Sequence, residues 1–325
     1  SNSDYLLGLD KEVPHAVTDS ASAATSMVTG IKTYNGAINV KPDGTHLVPI
    51  SRVLQSEQEF KVGIVTSVPV SHATPAGAYA NNVSRKDYQD ISRDLLGLPS
   101  SSHRQEPLPG VDVLLGGGWG EEVNEDANQG DNFLPGNKYL HQEDIDRVNI
   151  QAGGEYVVVQ RKPGKRAIKR LMAAAQRAAD EDYRLLGYFG TQKGHLPFRT
   201  ADGQYNPASD VSGQEEYSQS DIDENPTLAD MTRAALLVLE QAIDGFWLMI
   251  EAGDVDWANH SNNLDNSIGA VLSGDEAFRV VVDWIDDNNA WSYTAVIVTA
   301  DHGHFLVIDD ADRIIEAGKT GQAKR

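Results

Sequence analysis

Ser20 follows Asp19 and opens a run of small residues, Ala21-Ser22-Ala23-Ala24-Thr25, with no bulky side chain until Met27. A helix starting there presents unpaired backbone N–H groups and a positive dipole end beside a serine hydroxyl. That setting suits an oxyanion such as phosphate and makes Ser20 a candidate nucleophile. The lack of bulk lets another surface approach the first turn closely. The same residues also read as an ordinary acidic cap on an ordinary alanine-rich helix.

Two further clusters end apolar runs. After Phe246–Ile250 come Glu251, Asp256, Trp257 and His260; after Thr294–Thr299 comes Ala300-Asp301-His302-Gly303-His304. Asp256 and His260 are four apart, so on a helix they share a face and can grip one ion. Asp301 and His302 can bind together only if the chain turns sharply, which Gly303 allows. Oxygen and imidazole donors without sulfur suit Zn2+ where histidine is present and Mg2+ where only oxygen is. A third run leads to His72, Thr74 and Arg85, offering a hydroxyl for a hard cation and a planar fork for two phosphate oxygens. Taken singly, Asp256/His260 also reads as a helix-surface pair, Thr74 as a cap before Pro75, and Arg85 as a solvated charge.

The elements that must hold these groups follow from the apolar pattern. Strands are predicted at Lys61–Thr66, Val111–Leu115, Leu185–Phe189, Phe246–Ile250 and Thr294–Thr299. Helices are predicted at about 167–180, at 228–242 after a capping-box-like Thr227/Asp230 pair, and at about 275–285. The alternation argues for an α/β fold, a central, largely parallel sheet with helices on both faces, whose functional residues gather at the carboxyl ends of strands. Two polar segments, about 120–165 and 191–225, read as insertions on a sheet edge of a single domain spanning 1–325.

Composition narrows the function. The 325 residues carry 48 acidic and 27 basic side chains, a formal charge of -21, which disfavours binding to nucleic acid or to an anionic membrane surface. Any anion site must be made locally positive by arginine, a helix end or bound cations. No apolar run is long enough to span a bilayer, and the absence of cysteine excludes thiolate sites, disulfides and thiol catalysis. No signal segment is apparent near Ser1.

Together these segments resemble the alkaline phosphatase family, in order along essentially the whole chain. Val17-Thr18-Asp19-Ser20-Ala21 through Gly30-Ile31-Lys32-Thr33-Tyr34-Asn35-Gly36-Ala37 is similar to the family's nucleophile segment. Arg85 stands eleven residues after Thr74, Glu251, Asp256 and His260 are spaced five and then four, and Thr299–His304 is similar to the second zinc segment. Asp112–Gly118 and Pro226–Thr232 are family-like too.

The resemblance implies hydrolysis of small phosphate monoesters through a phosphoserine on Ser20, with Arg85 holding two phosphate oxygens. It implies two Zn2+ and one Mg2+: Asp256 and His260 on the first zinc, Asp301 and His302 on the second, Glu251 and Thr74 on the magnesium. Asp19, His72, Trp257 and His304 would support these groups from behind, His72 tuning the magnesium site and Trp257 shaping the substrate side. It also implies a periplasmic or secreted location and a possible homodimer.

Two family features have no counterpart here. The early aspartate in a strand before a Gly-Asp-Gly turn is missing from the 19 residues ahead of Ser20, where Asp10 is too close and precedes Lys11. The further zinc-binding histidine is missing after His304, and His15, His46, His103, His141 and His195 have no ligand spacing. Each site is therefore expected to be one ligand short, and the sheet to have an unpaired edge, as in a truncated homologue that binds phosphate or metal with little or no activity. A relative cleaving diesters, phosphonates or sulfates is the other alternative, although Arg85 favours monoesters and the sulfatase Cys/Ser-x-Pro-x-Arg pattern is absent around Ser20.

Overall fold

The computed structural model describes residues 17–205, 215–304, 312 and 316. Its elements are, in chain order, α1 (Ser20–Thr29), α2 (Ile50–Gln58), β1 (Lys61–Pro69), α3 (Ala73–Gly77), α4 (Tyr88–Leu96), β2 (Val113–Gly117), β3 (Glu122–Val123), β4 (Gly136–Asn137), α5 (Gln142–Val148), β5 (Tyr156–Gln160), α6 (Ala167–Asp180), β6 (Arg184–Tyr188), α7 (Gln219–Glu224), α8 (Leu228–Leu239), β7 (Phe246–Glu251), α9 (Asp254–His260) and α10 (Leu264–Asp287). Five strands form a wholly parallel sheet in the order β5-β6-β2-β1-β7.

Alternate side chains of these strands enter two cores, as a sheet covered on both faces requires. Val62 and Ile64 of β1, Leu114 of β2 and Leu186 of β6 join Ile91 and Leu95 of α4 on one face. Val65, Val113, Leu115 and Leu185 join Leu171 of α6 and Met231, Ala235 and Leu239 of α8 on the other. Helix α8 opens with the expected capping box, Thr227 and Asp230 exchanging side-chain and backbone hydrogen bonds, and ends at Leu239.

Helix α1 is capped as its sequence suggests. Asp19 accepts from Ser22 N at its start, and Gly30, at φ 71°, closes it in the left-handed conformation that glycine adopts without penalty. The surface that approaches its small residues is α3: a Cβ on Gly77 would come within 2.6 Å of Ala24 Cβ.

Two differences from the sequence reading concern strands. The apolar run Thr294–Thr299 predicts a strand, but residues 294–300 have no regular structure, and Ile297 and Val298 are 85% and 77% exposed. A strand exists only through ladder hydrogen bonds to a neighbour, and this segment pairs with none among the described residues. Conversely, β5 lies inside the segment expected to be an insertion, and it forms one edge of the sheet beside β6. At the other edge, β7 is only half-buried along its length. Part of the second expected insertion, 206–214, lies outside the described residues. The predicted helix at 275–285 belongs to the longer α10.

Parallel strands point their carboxyl ends the same way. Thr66 of β1 lies opposite Glu251 of β7, so the segments leading to α3 and α9 emerge side by side.

Candidate active site

Ser20 is the first residue of α1, and Asp19 organises its surroundings. One Asp19 oxygen accepts from Ser22 N at 3.0 Å and Ser22 Oγ at 2.8 Å; the other accepts from Gly36 N and from Arg85 Nη1, both at 3.0 Å. The cap that fixes the turn therefore also fixes the arginine. Partial burial pushes the Asp19 carboxyl up, but the bonds from Ser22, Arg85 and Gly36 outweigh it and hold it below its usual value. Arg85 is held again through its backbone, N to Gly36 O at 2.7 Å. With one guanidinium nitrogen spent on Asp19, the rest of its five-donor fork remains for an anion.

Asp256 and His260 share a face of α9, with His260 Nε2 3.3 Å from Asp256 Oδ1. Onto the same oxygen converge His304 Nε2 at 3.0 Å and His302 Nε2 at 3.7 Å. Asp256, His302 and His304 offer ligand atoms all within 4.8 Å of one another, which fits one metal ion. The structure thus gathers His302 with Asp256 and His260, and brings His304, expected to act from behind, to ligand distance. Asp301 Oδ2 is 3.6 Å from His302 Nε2. Asp301 Oδ2 is buried without a hydrogen-bond partner among the described residues, and Asp256 Oδ1 has the three imidazoles near it but none in hydrogen-bond geometry, an arrangement that costs free energy unless a cation faces them.

This centre reaches the serine: Ser20 Oγ lies 3.2 Å from His302 Nε2. Behind it stands Glu251, whose Oε2 accepts a short hydrogen bond from Thr66 Oγ1. Burial pushes the Glu251 carboxyl up to about 7 against that bond, with Asp301, Asp254 and Asp256 adding like-charge repulsion. Like-charge repulsion of this kind is relieved by a bound divalent cation. Thr74, half-buried on α3, belongs to the same end of the sheet, since α3 packs on β1 and β7.

His72 and Trp257 face each other with ring centres 5.5 Å apart, and Tyr88 stacks on His72 at 5.6 Å. Burial, then the charges of Arg85 and Lys138, pull the His72 imidazole down to about 3, so it is neutral near pH 7. Lys138 lies over Tyr139 and Tyr88, its ammonium 5.2 and 5.7 Å from the ring centres. Neither Thr66 nor Lys138 stood out in the sequence. Thr66 sat inside an apolar strand, and Lys138 in a polar loop with no spacing to any other candidate.

Comparison with known proteins gives the chain its family. The alkaline phosphatase family model matches residues 5–314. Alkaline phosphatase 4 of Bacillus subtilis is 30% identical over 290 residues, covering 88% of this chain and 49% of the relative. Alkaline phosphatase of Escherichia coli K12 is 30% identical over 316 residues, covering 92% and 61%. Among solved structures, the Thermus thermophilus alkaline phosphatase superposes with a TM-score of 0.57 at 28% identity, over 84% of this chain and 46% of that one. The chain spans about half the length of the Bacillus relative and about three-fifths of the Escherichia one. With the match running through nearly all of its residues, this chain belongs to the alkaline phosphatase family.

Proposed function

We propose that the chain carries the nucleophile, the phosphate clamp and part of the metal-binding set of a phosphomonoesterase. One observation carries this reading: Asp19 both caps the helix that begins at Ser20 and anchors Arg85, so hydroxyl and guanidinium are fixed relative to each other.

Arg85 takes two non-bridging oxygens of the ester, and the N–H groups at the start of α1 add positive potential beside them. Ser20 Oγ attacks phosphorus as its proton leaves, a P–O bond forms, and the ester P–O bond opposite it breaks to release the alcohol. Water then attacks the phosphoserine, regenerating Ser20 and releasing phosphate, so two inversions give retention. Asp256 and His260 would hold one zinc ion, Asp301 and His302 a second, and Glu251 and Thr74 a magnesium ion, with His304 close enough to join the first. Bound there, such cations supply Lewis-acid charge that acidifies hydroxyl and water and neutralises phosphate oxygens.

Small phosphate monoesters are the substrates of this reading, and a homodimer and a periplasmic or secreted location belong to it by family resemblance. No helix among the described residues is long and apolar enough to cross a membrane. The test is turnover of p-nitrophenyl phosphate with Zn2+ and Mg2+ present. We expect hydrolysis that Ser20→Ala abolishes, and a phosphorylated Ser20 peptide after acid quench. Turnover surviving Ser20→Ala, or faster cleavage of bis-p-nitrophenyl phosphate than of the monoester, would overturn the proposal.

A further inference from the structure

His195 had no ligand spacing in the sequence, and the mechanism above does not use it. It lies in the segment after β6, is 3% exposed, and is engaged through both ring nitrogens. Nδ1 is 2.8 Å from Asp254 Oδ1, and Nε2 makes a short hydrogen bond with Glu215 Oε2. Asp254, 2% exposed, is the first residue of α9. Trp257, in the same helix, places its ring 5.2 Å from His195.

Helix α9 has only seven residues and no side-chain cap at its start, so its own hydrogen bonds do little to orient it. Tertiary anchors must do so, and among the described residues His195 is the one that holds Asp254, the helix's first residue. A neutral imidazole has one N–H and can donate to only one of two carboxylates, whereas the imidazolium donates to both. Burial pulls the ring down, but Asp254 and Glu215 outweigh it and hold it up at about 9. The bridging cation therefore ties the segment after β6 to the turn from which Asp256 and His260 project.

We propose that His195, clamped between Asp254 and Glu215, is a positioning residue that sets the metal-binding geometry of Asp256 and His260. This rests on reading Asp256 and His260 as metal ligands, as in the proposed function. Groups that hydrogen-bond a metal ligand directly change metal affinity by about ten- to hundredfold when removed, and His195, one residue further back, sits at the lower end of that range.

The experiment is Co2+ titration of the 325-residue chain and its His195→Leu, His195→Gln and Glu215→Gln variants, read by visible absorption, with circular dichroism and thermal melts reporting the fold. The His195→Leu variant, folded, is expected to bind Co2+ about tenfold more weakly with shifted absorption bands. His195→Gln, which keeps one hydrogen bond to the pair of carboxylates, should recover part of the affinity. A folded His195→Leu protein with wild-type affinity and spectrum overturns the proposal, as does a wild-type protein that binds no Co2+. If His195→Leu does not fold, Glu215→Gln decides: a weakened, shifted spectrum supports the clamp and an unchanged one overturns it. Ester turnover is read separately, so a wild-type protein that binds Co2+ without hydrolysing monoester counts against the phosphatase reading and leaves the result on His195 standing.

Discussion

Ser20 Oγ and His302 Nε2 lie 3.2 Å apart although 282 residues separate them. The first described helix and the last described loop therefore meet at one point, at the end of the sheet where β1 and β7 release Thr74 and Asp256. That convergence is what gives the Asp19–Arg85 ion pair its consequence, because the pair fixes the guanidinium relative to Ser20.

Replacing Asp19 by alanine should act on two measurable quantities. Loss of the cap is expected to destabilise the protein by about 1 kcal/mol. Loss of the charge-assisted bond to Arg85 should raise the inhibition constant of inorganic phosphate roughly tenfold, the equivalent of about 1.4 kcal/mol. Urea unfolding and product-inhibition kinetics check the two separately. Unchanged phosphate inhibition would show that Arg85 holds its position without Asp19.

Gly77 tests the packing beneath Ser20. Its Cβ position is 2.6 Å from Ala24 Cβ, so Gly77→Ala must push α1 away from α3. Overpacking of this kind costs about 1–3 kcal/mol. Because Ser20 begins α1, turnover should fall further than the loss of stability explains at temperatures where the variant is fully folded. A variant as stable and active as the parent would mean that α1 has slack that the contact does not suggest.

Asp94 is a buried carboxyl away from the site. It accepts from Asn81 N at 2.9 Å, while its other oxygen has no hydrogen-bond partner among the described residues. Burial pushes it up to about 7, with Ser100 and Asn81 opposing. A folded-state value above the unfolded one means that its contribution is complete below about pH 4 and is lost as pH rises through 7. Asp94→Asn removes this titration while keeping an acceptor for Asn81, so the variant should gain stability relative to the parent between pH 4 and 8.5, most of it below pH 7. Thermal melts across that range decide it, and a variant that loses ground toward pH 8.5 contradicts the assignment.

His195 titrates with the same sign at higher pH. Its ordinary value is 6.5 and its folded value about 9, so the stability it contributes is fully present below pH 6.5 and disappears as pH rises through 9. In chelator, where metal binding does not intervene, parent protein should lose stability between pH 7 and 10 in excess of His195→Gln. Parallel pH profiles of the two proteins in urea would refute this.

The sheet was legible in the chain because four of its five strands are apolar runs of strand length, and α6 and α8 because their periodicity and capping residues agree. β5 was hidden by its setting: Tyr156-Val157-Val158-Val159-Gln160 is short and stands in a polar segment where its pairing with β6 leaves no local trace. Thr294–Thr299 shows the opposite limit, since β propensity declares what a segment prefers and not whether a partner edge is present. At the site, spacing identified Asp256 with His260 because four residues make one helical turn, a local rule. The approach of His304 to Asp256, the bond from Thr66 to Glu251 and the clamp on His195 are tertiary. They join residues 48, 185 and 59 positions apart, and no periodicity reports on such contacts.

Removal of divalent cations should reveal the electrostatic cost of the site itself. Glu251, Asp254, Asp256 and Asp301 interact closely enough that three of them push the Glu251 carboxyl upward. His195 compensates only Asp254, and Thr66 supplies a hydrogen bond but no charge. A cation that binds the folded protein and not the unfolded chain stabilises it in proportion to the logarithm of its free concentration over Kd, about 2.7 kcal/mol at a hundredfold excess. The melting temperature is therefore expected to fall in chelator and to climb again with added Zn2+ or Mg2+. Glu251→Gln, which removes one of the mutually repelling charges, should narrow the difference by stabilising the metal-free protein. If chelation leaves the melting temperature of the parent unchanged, the carboxylates are satisfied without a metal, and the metal assignments of Glu251, Asp256 and Asp301 lose their physical basis.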